Sequence, residues 1–163
     1  MTVPSPLLFL DVDGPLIPFG AADGRAYPTY PPTPPSSVSP LLARLDPAHG
    51  PRLAALPYEL VWATTWEEDA NAWVAPRLGL PVLPVLPWPP GDGPALAAGL
   101  HWKTPELVAW AAGRPFAWVD DEIGAADRAW VAAHHPGPAL LHRVDPGRGL
   151  TEADYERLAV WAE

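Results

Sequence analysis

Three short apolar runs in this chain end in side chains that carry chemistry. Leu7-Leu8-Phe9-Leu10 leads into Asp11-Val12-Asp13-Gly14-Pro15, the run 58–63 (Tyr-Glu-Leu-Val-Trp-Ala) into Thr64-Thr65, and the run 115–119 (Pro-Phe-Ala-Trp-Val) into Asp120-Asp121-Glu122. Each is too short for a helix and reads as a buried strand. In an open α/β sheet the crevice lies outside the carboxyl ends of the strands, so three such runs place acids and hydroxyls along one edge.

The stretches between them complete the pattern. Ser39-Pro40 reads as an N-cap followed by the first position of a short helix to about Leu45, and a helical piece is expected at 51–56. Glu67 to Leu78 is expected as a helix, with Glu67, Glu68 and Asp69 in its first turn. The run 81–86 reads as an edge strand because Pro81 and Pro84 cannot donate to a ladder. After a Pro/Gly-rich loop from Pro87 to Gly99, Thr104-Pro105 is expected to open a helix to about Ala112. Further helices are expected at 125–134 and from Thr151-Glu152-Ala153-Asp154, a capping-box-like start, to Trp161, with a fifth strand at 139–144. Strand and helix alternate throughout, which predicts one α/β domain over 1–163, a three-layer sandwich around a five-stranded parallel sheet. The segment 15–35, with Gly20, Gly24 and many prolines, predicts a loop or flap beside the acids.

Composition narrows the class. A chain of 163 residues can bury about two thirds of its unfolded surface without staples. The 25 prolines fall mostly between apolar runs in a chain that is 48% hydrophobic, so they read as stiff loops rather than disorder. The nine Trp have no fixed period and read as core fillers. Ten Lys and Arg against 19 Asp and Glu give a net charge of −9, which disfavours free binding to nucleic acid or an anionic membrane. The absence of Cys excludes thiolate catalysis and Cys-ligated zinc. No stretch approaches the roughly 18 apolar residues of a membrane span, and no basic n-region precedes Leu7, so the expectation is a cytoplasmic protein.

Asp11, Asp13, Thr64, Asp120 and Asp121 stand at strand ends, with Lys103 at the start of the helix that enters the fourth strand. Carboxylates this close require a cation, and an all-oxygen donor set suits Mg²⁺ together with a substrate phosphate. One carboxylate can attack phosphorus while the other moves a proton, and Thr64 and Lys103 can bind the phosphoryl oxygens. His101, His134 and His135 offer an alternative metal set, but His134-His135 before Pro136 reads as complementing a helix C-terminus.

Asp11-Val12-Asp13-Gly14, Thr64, Lys103 and Asp120-Asp121 resemble, in order, the four motifs of the haloacid dehalogenase (HAD) superfamily across nearly the whole chain. The stretches Trp62-Ala63-Thr64-Thr65-Trp66, Ala70-Asn71 and Trp118-Val119-Asp120-Asp121-Glu122 resemble the small bacterial HAD domains of Swiss-army-knife RNA repair proteins. The resemblance implies sheet order 5-4-1-2-3 and a Mg²⁺-dependent phosphatase. It implies Asp11 as nucleophile, Asp13 as acid/base whose backbone carbonyl also ligates the metal, Thr64 as phosphate ligand, Lys103 as stabilising lysine, and Asp120 and Asp121 as metal acids. Thr65 departs from the small residue common in relatives and leaves a second hydroxyl in play. Neither gap between motifs has room for a full cap domain, so an open site is implied, suited to a large phosphorylated substrate such as a nucleic-acid end. Of the scattered Arg25, Arg143 and Arg148, none forms a visible cluster that would offset the charge. The alternative from another class is a binding or regulatory module that keeps the fold with little turnover.

Overall fold

The computed structural model describes residues 4–89 and 99–163. Four parallel strands form the sheet: β1 (Leu7–Leu10), β2 (Glu59–Trp62), β3 (Phe116–Asp120) and β4 (Ala139–Arg143). Their order is β2-β1-β3-β4. Five helices accompany them among the described residues: α1 (His49–Ala55), α2 (Ala75–Leu78), α3 (Lys103–Ala111), α4 (Ala125–His134) and α5 (Glu152–Trp161). A 3-10 helix at Pro40–Arg44 precedes α1, with the Ser39 side chain accepting from the Leu41 N–H as its cap.

The central strands β1 and β3 are buried at every position, as parallel strands covered on both faces must be. On one face Leu8, Leu10, Ala117 and Val119 pack with Leu53 of α1, Leu78 of α2 and Leu158 of α5. On the other, Leu7, Phe9, Phe116 and Trp118 pack with Leu107 of α3 and Val131 of α4. Because side chains alternate along a strand, these two sets are the two parities of the same short runs.

The predicted edge strand at 81–86 does not form. A single bridge joins Trp62 and Val85, through Trp62 N–H to the Pro84 carbonyl and Leu86 N–H to the Trp62 carbonyl. Pro81 and Pro84 supply no N–H, and the Asn71 side chain takes both backbone groups of Leu83, each at 2.9 Å. The sheet therefore has four strands rather than five, and these keep the order expected for their four counterparts.

Two helix starts also differ from the sequence reading. The helix expected from Glu67 begins as a π turn at Ala70–Val74 that runs into α2, after a turn in which Glu67 adopts φ 50°. Helix α3 opens at Lys103, and Thr104 is no cap. Its hydroxyl donates to Asp127 Oδ1 at 2.6 Å, tying α3 to α4. The start of α5 is as expected, the Asp154 carboxylate taking the Thr151 N–H at 2.7 Å. Of the predicted loop 87–99, residues 90–98 lie outside the described residues.

The 15–35 segment is tied down along its length rather than standing free over the acids. Pro15 O accepts from Leu150 N, Phe19 N donates to Pro146 O and Tyr30 N donates to Ala43 O. Arg44 holds the Pro18 carbonyl at 2.9 Å and the Tyr27 hydroxyl reaches Gly147 O at 3.1 Å.

Candidate active site at the ends of β1 and β3

Register decides which acids meet. Leu10 pairs with Val119 across β1 and β3, so the next residues, Asp11 and Asp120, emerge side by side. Carboxylate oxygens of Asp11, Asp120 and Asp121 lie within 4.8 Å of one another. Lys103, the first residue of α3, is 2% exposed, and its Nζ sits 2.6 Å from Asp120 Oδ2 and 3.2 Å from Asp11 Oδ1.

The two acids of β3 divide their work. Asp120 is fully buried, and both its oxygens are committed: Oδ2 to Lys103 and to Trp118 Nε1 at 3.2 Å, Oδ1 to the Glu122 N–H at 3.0 Å. Burial alone would raise its pKa, but the Lys103 ammonium outweighs burial and lowers it. Asp121 faces the cavity, and burial together with the Asp120 charge pushes it up to about 6. Burial also raises Asp11 well above the usual carboxylate range despite Lys103. Lys103 is opposed by burial but held protonated by Asp11 and Asp120, which raise it.

The Asp11-to-Pro15 turn is built to this cluster. Gly14 has φ +104°, and a Cβ there would stand 2.9 Å from Asp121 Cγ, so both the conformation and the packing require glycine. Arg143 Nε donates to the Asp121 carbonyl at 3.2 Å, which gives one of the scattered arginines a place behind the acids.

A cavity of about 460 Å³ opens in front of them, lined by Asp11, Asp13, Thr65, Trp102, Lys103 and Asp121, with Phe19 on its rim. Phe19 is the single residue of the 15–35 segment on that wall. Asp13 lies half-buried; burial raises its pKa, and a hydrogen bond from Trp66 Nε1 to Oδ2 at 3.1 Å opposes the rise. Thr64 is fully buried beneath the wall, its Oγ1 accepting from the Trp66 N–H at 3.1 Å, while Thr65 reaches the cavity. His101 lines it as well, its Nδ1 accepting the Lys103 N–H at 3.2 Å. His134 instead meets the Trp130 carbonyl at the end of α4, and His135 packs edge-on against Phe116.

Of the residues singled out from the sequence, Asp11, Asp13, Thr65, Lys103 and Asp121 meet at the cavity, whereas Thr64 and Asp120 are buried and do not line it. Sequence reasoning weighed Trp66 mainly as a core residue. The i+2 spacing after Thr64 carries no signal that its indole would reach a residue 53 positions earlier. Nor do all the tryptophans fill the core: Trp62 and Trp118 do, but Trp88 is half exposed and packs on Trp102 with the ring centroids 4.4 Å apart and the planes tilted by 35°.

The donor set fits a divalent cation. Three clustered carboxylates face one ammonium in a buried site, where burial raises Asp11 and Asp121 and the Asp120 charge adds to the rise at Asp121. Asp11, Asp120 and Asp121 each have an oxygen in this cluster, those of Asp120 also accepting hydrogen bonds from Lys103, Trp118 and Glu122.

No family model, curated protein or solved structure matches the chain.

Proposed function

We propose that the protein is a Mg²⁺-dependent phosphohydrolase that acts on phosphomonoesters through an aspartyl-phosphate on Asp11. The observation that carries this reading is the pairing of buried Lys103 with both Asp11 and Asp120, beside a second carboxylate, Asp13, open to the same cavity. The resemblance to the HAD motifs supports it.

Asp11 and Asp121 would hold the ion, with the Asp13 backbone carbonyl as the ligand the resemblance adds and Asp120 fixing Lys103 beside them. When bound, Mg²⁺ supplies the positive charge that lets the phosphoryl group approach ionised Asp11. The remaining work falls to the chain's own groups. The free Asp11 oxygen attacks phosphorus, the ester P–O bond breaks, and Asp13 gives its proton to the leaving oxygen. Its raised pKa suits a group that must carry that proton. Water then attacks phosphorus, loses its proton to Asp13, and inorganic phosphate departs with the Asp11 carboxylate restored. Lys103 steadies charge on Asp11 and the phosphoryl oxygens, which also meet a hydroxyl of the Thr64-Thr65 turn. Thr65 stands on the wall, and Thr64, whose oxygen accepts from Trp66, keeps its own hydrogen to donate.

Aryl and alkyl phosphates and 3′- and 5′-phosphorylated oligonucleotides, assayed with and without Mg²⁺, test the proposal. Asp11→Asn is expected to lose about 10³-fold or more of the Mg²⁺-dependent release. Equal release by wild type and Asp11→Asn across the panel would sink the enzyme reading and favour a binding module.

A further inference from the structure

The geometry points to Trp66 as the positioning residue for Asp13, selecting which of its two oxygens carries the catalytic proton. This role rests on the phosphohydrolase reading above.

The indole N–H is a donor with no acceptor capacity. Placed 3.1 Å from Asp13 Oδ2, it pairs more strongly with a carbonyl oxygen than with the weakly accepting hydroxyl oxygen of a protonated carboxyl. When Asp13 is protonated, the hydrogen bond therefore favours the proton on Oδ1. Trp66 thus fixes the rotation of the carboxyl group and favours the atom that acts, and Asp13 keeps its place on the cavity wall.

Independent features of the backbone hold the indole there. Trp66 N–H is bonded to Thr64 Oγ1 at 3.1 Å, and Glu67 N–H to the Thr64 carbonyl. Glu67 itself sits at φ 50°, a conformation that a non-glycine residue keeps only where its surroundings demand it. The π turn that follows places Asn71 to accept from Trp62 Nε1 at 2.9 Å, anchoring the helix to the end of β2. Such π turns recur at functional sites. The ring also packs, partly buried, against the core cluster that includes Leu10 and Val12, so swinging away would give up that contact.

Trp66→Phe removes the N–H and keeps a ring. The quantity to measure is kcat/KM, which reports the steps through departure of the leaving group, for an alkyl phosphate and for 2,4-dinitrophenyl phosphate. An alkoxide needs the proton and the dinitrophenolate does not. The expected result is a loss about tenfold larger on the alkyl ester than on the aryl ester. Equal losses on both, or no loss on either, would overturn the positioning role while leaving the phosphohydrolase reading intact. A wild type with no Asp11-dependent turnover would overturn the phosphohydrolase reading and the role with it. Should Trp66→Phe fail to fold, indole ¹⁵N–¹H spectra of Asp13→Ala, which removes the acceptor, decide: a shifted, faster-exchanging Trp66 indole signal is expected, and an unchanged one overturns the pairing.

Discussion

Two cavities of similar size differ in what walls them, the second being lined in part by Pro15, Leu16 and Pro18. The one at the ends of β1 and β3 measures about 460 Å³ and holds Asp11, Asp13, Lys103 and Asp121. Its neighbour measures about 390 Å³ and gathers Arg25, Arg44 and Arg148, distant in sequence, with Asp46 and His49. In the first, Asp11, Lys103 and Asp121 are almost wholly buried, with one ammonium against two carboxylates. In the second, Arg25 and Arg148 stand on loops, 52% and 69% exposed, with their carboxylate partners at 3.6 and 3.9 Å. Exposed pairs of that kind contribute little, because water screens them and ordering the side chains costs entropy. Volume and charge count alike fail to separate the two cavities; unmatched charge removed from water does.

The widest gap between them should come from Lys103→Met, which leaves Asp11 and Asp120 buried without their ammonium. Urea unfolding in EDTA at neutral pH should find it about 3–5 kcal/mol less stable than wild type, with part of the loss recovered in acid as the carboxylates protonate. A loss below about 1 kcal/mol would make the first cavity energetically like the second.

A smaller effect of opposite sign is expected at Asp121. Its pKa is raised from 3.8 to about 6, so the folded, metal-free protein disfavours the ionised form. Ionisation therefore lowers stability as pH climbs from the ordinary carboxyl value through about 6, and the penalty is absent in acid. Asp121→Asn should stabilise the metal-free protein by about 1–2 kcal/mol near pH 7, once solvent screening at the cavity mouth is allowed for. It should also flatten the pH dependence and weaken the rise in Tm expected of wild type on adding Mg²⁺ if the proposed metal site is correct. A variant no more stable than wild type in EDTA would remove the argument that this cavity is short of positive charge.

Arg25→Ala marks the small end of the range. Its stability should stay within about 0.5 kcal/mol of wild type, and the proposed phosphatase activity should be unchanged. A large effect on either would promote the second cavity from a surface feature to part of the site.

Much of the candidate site was legible because the information is local. Four apolar residues before Asp11, and five before Asp120, read as buried strands, and in a parallel sheet the carboxyl ends of all strands face one way. Gly14 was visible as a turn residue, although its second duty, clearing space for Asp121, was not. The 81–86 run misled because apolar content and β-branched residues describe a strand without supplying donors; two prolines and the Asn71 amide left it with one bridge. Thr104-Pro105 misled as a helix start because the hydroxyl that could cap α3 found a buried acceptor on α4.

The sequence by itself determined the alternation of strands and helices, the acids and hydroxyls at their ends, and the chemistry those donors can support, since periodicity, turn residues and residue type are written position by position. Only the tertiary structure decided how the acids divide their work. The β1–β3 register brings Asp11 beside Asp120, the buried Lys103 commits Asp120 and leaves Asp121 to the cavity, and the strained turn at Glu67 aims an indole at Asp13. These are contacts between residues 17 to 109 positions apart, fixed by packing and desolvation, which no local pattern encodes.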